Sequence, residues 1–137
     1  MFSKVLFEHL QANFTGFGAQ SIQWGFGEVV ETSKQPYIVF YELDDDRDKQ
    51  FVCDNHGDSG DYLLQLNIYS SSFILNNAIK KAVGDYLLTL NGVRLTDGTD
   101  TYIMNGIRHS SSPSAETLNN GLAIDVLAKT INYNKIN

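Results

Sequence analysis

The stretch YLLQLNIYSSSFILNNAIKKAVGDYLLTLNG, residues 62–92, decides the fold. Its opening alternates with period two. Tyr62, Leu64, Leu66 and Ile68 fall on one face and Gln65 and Asn67 on the other, which predicts a half-buried strand over 61–70. The period then changes. Leu75, Ala78, Ile79, Ala82, Val83, Tyr86, Leu87 and Leu90 recur at helical spacing, leaving Asn76, Asn77, Lys80, Lys81 and Asp85 outside. Ser70, Ser71 and Ser72 offer an N-cap and Asn91-Gly92 a C-terminal stop, so a long helix is expected over 72–90.

Upstream, PYIVFYEL (36–43) is rich in β-branched and aromatic residues, and Pro36 suits the first position of a strand. Residues 22–31 form a weaker strand candidate, loosened by Gly25 and Gly27. Phe2, Leu6 and Leu10 recur every four residues, with Val5 beside them, and predict a helix over the first fourteen residues that Gly16 and Gly18 end. The acidic segment 42–48 reads as a turn. Lys49–Asp54 reads as a short return strand, and the Asp-, Asn- and Gly-rich run to Gly60 as a loop. Downstream, a polar connector (93–100) leads to a strand near Thr101–His109. A serine-rich loop (110–120) and a last strand (121–131) complete a long hairpin. The expected class is α+β, a mainly antiparallel mixed sheet packed against an N-terminal helix and one long helix, in the order α-β-β-β-β-α-β-β.

At 137 residues, one domain over 1–137 is expected, enough to bury about two-thirds of the unfolded surface. Hydrophobic residues make up 42% and charged residues 19%, which excludes the low-hydrophobicity, high-charge signature of disorder. The formal charge of −6 is concentrated. Segment 42–49 carries Glu42, Asp44, Asp45, Asp46 and Asp48 against Arg47 and Lys49, and segment 54–61 carries Asp54, Asp58 and Asp61. An acidic chain without a basic stripe is a poor grip for phosphate backbones. The single cysteine, Cys53, rules out an internal disulfide framework. No run approaches the ~18 apolar residues of a membrane helix. The N-terminal segment, interrupted by Glu8 and His9, lacks a signal-peptide core. Synthesis in the cytoplasm is the expectation, and the Asn13-Phe14-Thr15 sequon carries no meaning there.

The motifs that carry chemistry fall short of their requirements. Gly16-Phe17-Gly18 and Gly25-Phe26-Gly27 lack the third glycine and the strand-to-helix setting of a dinucleotide fingerprint. Cys53-Asp54-Asn55-His56 brings thiol, imidazole and carboxylate together in sequence. Nothing frames the thiol as a nucleophile, and a small buried cysteine beside a polar turn accounts for it. The Asp-rich stretches do not match a calcium loop, and His9, His56 and His109 lack zinc-ligand spacing. No catalytic residue, cofactor or metal is therefore expected. Trp24 reads equally as sheet packing or as an interface anchor. Arg94 and Arg108 read as solvated surface charges or as partners for an acidic face on a neighbouring copy.

The succession of elements resembles the tail-terminator, tail-completion and head–tail-joining proteins of long-tailed phages. A short N-terminal helix (Phe2–Phe14), the PYIVFYEL strand, the YLLQLNIYS strand (62–70) running through serines into a long helix, its LLTLNG end (87–92) and a final hairpin (Thr101 to Ile131) carry the resemblance. It implies a non-enzymatic virion protein of the neck or tail, assembled in the host cytoplasm as a homo-hexameric ring. Its expected partners are the tail-tube protein and a head-completion or connector protein, with DNA passing through unbound and no membrane involved. Such a ring ends tube growth and joins tail to head. The resemblance gives interface roles to the two hairpins, near 43–50 and 109–121, and so to Ser111 and Pro113. Glu42, Asp44, Asp45, Asp46 and Asp48 become a candidate channel lining or interface, because an acidic wall lets a polyanion slide. A monomeric adaptor or regulatory binding domain is the competing expectation.

Overall fold

The computed structural model describes residues 2–18, 20–27, 36–47, 59–109, 116–117 and 122–136. Its elements are α1 (Phe2–Asn13), β1 (Gly16–Phe17), β2 (Gln20–Ser21), β3 (Gln23–Phe26), β4 (Tyr37–Arg47), β5 (Ser59–Ser70), α2 (Phe73–Thr89), β6 (Arg94–Thr96), β7 (Thr101–His109), β8 (Glu116–Thr117) and β9 (Ala123–Lys135). The main sheet runs β3-β4-β5-β9-β7-β6, with β8 alongside β9. Among the described residues, only β3 and β4 pair in parallel; the other strand pairs are antiparallel. The fold is α+β with the expected succession of helices and strands, and short strands are added to it.

The alternation in β5 organises the core. Tyr62, Leu64, Leu66 and Ile68 are fully buried on the face that meets the helices. Each such apolar side chain contributes about 1.5–3 kcal/mol. Leu127 and Ile131 of β9 extend this face beside β5, and Ile79, Val83 and Leu87 of α2 pack over it. Ser72 caps α2 as expected, its Oγ accepting from Leu75 N at 3.2 Å. Gly92 takes φ +78°, a left-handed turn, and donates to Met104 O at 2.8 Å. The helix stop therefore also ties α2 to β7.

Helix α1 crosses the same face. Phe2 stacks on Tyr133 at 4.3 Å between ring centroids and meets Tyr62 and Tyr102 edge-on at 5.4 and 5.6 Å. Farther along, Phe7 meets Phe26 and Phe40 edge-on. His9 Nε2 and Tyr86 Oη share a 2.9 Å hydrogen bond that joins the two helices.

Several expectations change. The acidic segment is not a turn over 42–48. Glu42–Arg47 continue β4, because β5 extends back to Ser59 and gives them a partner, with a bulge between Glu42 and Asp44. The expected return strand 49–54, with Cys53 and His56, lies outside the described residues, as does the part of the 22–31 candidate beyond Gly27. The polar connector holds a short strand, β6. The last strand reaches Lys135, where Asn132 and Asn134 alternate with Tyr133 and Lys135. Asn76, expected outside, is buried and donates to Ala123 O at 2.9 Å. Lys80, also expected outside, is half-buried and pairs with Asp125 at 3.2 Å.

Candidate functional site

Of the residues that stand out in the sequence, Glu42, Asp44, Asp45, Asp46 and Arg108 fall at one end of the sheet. There β4, β5, β9 and β7 form a four-strand ribbon whose register sets residues in rows. Asp46, Asp61, Asn132 and Gly106 occupy one row, and Asp44, Leu63, Thr130 and Arg108 the row two positions along. Glu42, Asp44, Asp45 and Asp46 thus lie along one lateral strand of the ribbon, and Arg108 on the other. Asp48 lies outside the described residues, as do Ser111 and Pro113.

A polar network crosses this ribbon. Asn132 Nδ2 donates to Asp61 Oδ1 at 3.1 Å, and Asn105 Nδ2 donates to Asn132 Oδ1 at 3.4 Å. Arg108 Nη2 lies 3.8 Å from Asp61 Oδ2, with the arginine side chain 73% exposed. A pair so open to solvent contributes at most about 1 kcal/mol. Its consequence is positional, since the guanidinium is kept near the carboxylate and remains open to a further partner. Sequence reasoning singled out Arg108 and counted Asp61 only as bulk charge. The network joins three strands distant in sequence, so no local spacing signals it.

The two other predicted interface residues differ. Arg94 is exposed on β6, with Ile103 of β7 opposite it. Trp24 is not an exposed anchor. It is 9% exposed, packs in the main core, and its Nε1 donates to Phe14 O at 2.7 Å. Its polar group is satisfied within the chain, and it fastens the end of α1 to β3.

The sheet face away from the helices carries a second apolar cluster. It comprises Tyr37, Val39, Tyr69, Leu122, Ile124 and Val126, with Tyr41 partly buried beside them. Tyr37 and Tyr69 stack at 4.6 Å. Gln65 donates to Asn67 at 2.7 Å, and Asn67 donates to the Tyr69 hydroxyl at 3.3 Å. Burial first, and then neighbouring tyrosine hydroxyls, raise the Tyr37 and Tyr41 phenols above the usual tyrosine value. These groups stay neutral at physiological pH and act as packing and hydrogen-bonding surface. Among the described residues, no three His, Cys, Asp or Glu side chains group as metal ligands would, and no helix is long and apolar enough to cross a membrane.

No family model matches the chain, and no curated protein matches it. Solved structures do match. One of them, which carries no functional name, aligns over 99% of this chain and 91% of its own length, with a TM-score of 0.52 and 13% sequence identity. That likeness establishes a shared fold over nearly the whole chain and, at this identity, nothing further.

Proposed function

We propose that this protein is a non-enzymatic structural subunit of a ring at the neck or tail end of a bacteriophage, ending tail-tube growth and joining tail to head around a channel for DNA. The observation that carries the reading is the ribbon β4-β5-β9-β7. It places an acidic lateral strand and, on the opposite lateral strand, Arg108 at the same end of the molecule, which suits a subunit with two different mating sides. The order of elements, which resembles tail-terminator and head–tail-joining proteins, supports it. Its partners are further copies of itself, the tail-tube protein and a head-side connector protein. Glu42, Asp44, Asp45 and Asp46 supply negative charge that repetition around a ring multiplies, so DNA slides without being held.

Mass by light scattering over a wide concentration range, with negative-stain images of the same sample, tests the reading. Closed rings of about six copies with an open centre are expected. A monomer at every concentration would refute it in favour of an adaptor. That second reading draws on Phe73 and Ile74 at the start of α2, which are 46% and 85% exposed and suit a partner's apolar surface.

A further inference from the structure

We propose that copies of this chain join edge to edge, the Tyr41–Arg47 edge of β4 in one copy pairing antiparallel with the Asn105–His109 edge of β7 in the next. The proposal rests on the ring-subunit reading and names the contact that would build the ring.

Strand coverage provides the first argument. β3 pairs with β4 only over Tyr37–Phe40, and β6 pairs with β7 only over Thr101–Ile103, with a single bridge from Asn91 to Met104. Among the described residues, Tyr41–Arg47 and Asn105–His109 have no strand on their outward sides. Such edges present unpaired N–H and C=O groups in a row and are templates for another strand. Both lie at the same level, since Asp45, Tyr62, Ile131 and Ile107 share one row.

Strand direction provides the second. β4, β5, β9 and β7 are successively antiparallel, so β4 and β7 run in opposite senses. A copy set beside the first without inversion brings its β4 against the first copy's β7 in antiparallel register. The ladder within the ribbon then continues across the boundary.

Charge selects this pairing over its rivals. Glu42–Arg47 holds four carboxylates against one arginine. The β7 edge holds Arg108, with Lys129 directly opposite His109. Pairing β4 with β4 through a two-fold axis would bring the carboxylates together, and pairing β7 with β7 would bring the cations together. Only the unlike pairing brings opposite charges into contact, so the charges that guard each edge against its own copy accept the other edge. Both strands also carry a register shift near this end, between Glu42 and Asp44 and between Met104 and Gly106. Bulges bend a strand and increase its twist, which a sheet that closes on itself requires.

The test uses the full chain with Cys53→Ser, carrying Asp46→Cys and Asn105→Cys together or singly. Each is treated with a short bis-maleimide and run on a denaturing gel, while native mass is measured on the untreated samples. The double variant should give a ladder of covalent trimers and larger species, and each single variant should stay monomeric on the gel. Covalent dimers from a single variant would mean a two-fold contact and overturn the proposal. Native rings without a ladder would overturn the edge pairing and leave the ring reading standing. A monomeric native mass at all concentrations would overturn both. As a second measurement, Arg108→Glu should weaken assembly about tenfold and Asp44→Lys, at the position that shares the row of Arg108, should recover most of the loss in the same chain. Simple addition of the two losses would overturn the proposal.

Discussion

Truncating Phe2 removes the ring at the centre of an aromatic cluster. The residue sits next to the start of the chain, where fraying is the default, yet it is 1% exposed. Its ring stacks on Tyr133 and meets Tyr62 and Tyr102 edge-on, which ties α1 to β5, β7 and β9 together. Phe→Ala in a packed core costs about 3–5 kcal/mol. Aromatic pairs add about 0.5–1.5 kcal/mol each beyond area, so Phe2→Ala belongs clear of the lower end of that range, at about 4 kcal/mol. Phe2→Leu keeps most of the apolar volume and loses the ring contacts, for about 1–1.5 kcal/mol. Equilibrium urea unfolding followed by Trp24 fluorescence is the assay, run at several protein concentrations to separate folding from association. Trp24 donates to Phe14 O and so reports the far end of the same helix. With m near 2 kcal/mol/M, the alanine variant should lower the urea midpoint by about 2 M. A loss below about 1 kcal/mol with m unchanged would refute the reasoning, because Phe2 would then not be bearing on the core.

Burial holds the His9 imidazole below the usual histidine value. The unfolded chain then binds the proton more readily, so this group's contribution is full above the ordinary histidine value of about 6.5 and is lost as pH falls through the folded value. Thermal melts from pH 7.5 to 5.5 should show decreasing stability, and His9→Gln should flatten that slope; an unchanged slope would discard the account. Ser72→Ala should cost about 1 kcal/mol through loss of the α2 cap, measured by urea unfolding. Asp125→Ala should cost about 1.5–3 kcal/mol, because the carboxylate accepts from both Lys80 and Val126 N and only 9% of its side chain is exposed. The same titration reads that loss, and a neutral result would mean that solvent already satisfies Lys80.

Alternation and periodicity made the centre of the molecule legible. The four apolar residues at alternate positions of β5 are buried, and Ile79, Val83 and Leu87 are the contact face of α2. The ends of the strands were not legible, for a physical reason. Asp and Asn have low strand propensity, so Glu42–Arg47 reads as a turn and Asn132–Lys135 as nothing regular. Both are strands because a neighbour supplies the ladder, β5 for the first and β5 with β7 for the second. Asn76 and Lys80 were misplaced because helical spacing reports the average face of α2. β9 approaches off the centre of that face, where Ala123 O and Asp125 recruit polar side chains. In the candidate site, Arg108 and the acidic run were visible as charge. Their placement on opposite edges of one ribbon required the strand order.

That placement bears on how two strand edges with no neighbour among the described residues select a partner. A heterologous contact that does not close continues into a filament, and an edge that pairs with itself gives dead-end dimers. The opposed charges on β4 and β7 disfavour self-pairing at either edge, yet they cannot by themselves distinguish a ring from a filament. Curvature makes that distinction, and the register shifts in β4 and β7 sit where a bend would be transmitted across the boundary. Removing the extra residue from β4 by deleting Leu43 should flatten the junction while leaving Glu42, Asp44, Asp45 and Asp46 in the chain. Negative-stain images of that variant should show open arcs or filaments in place of rings. Rings of unchanged size would mean that the bulge does not set the curvature.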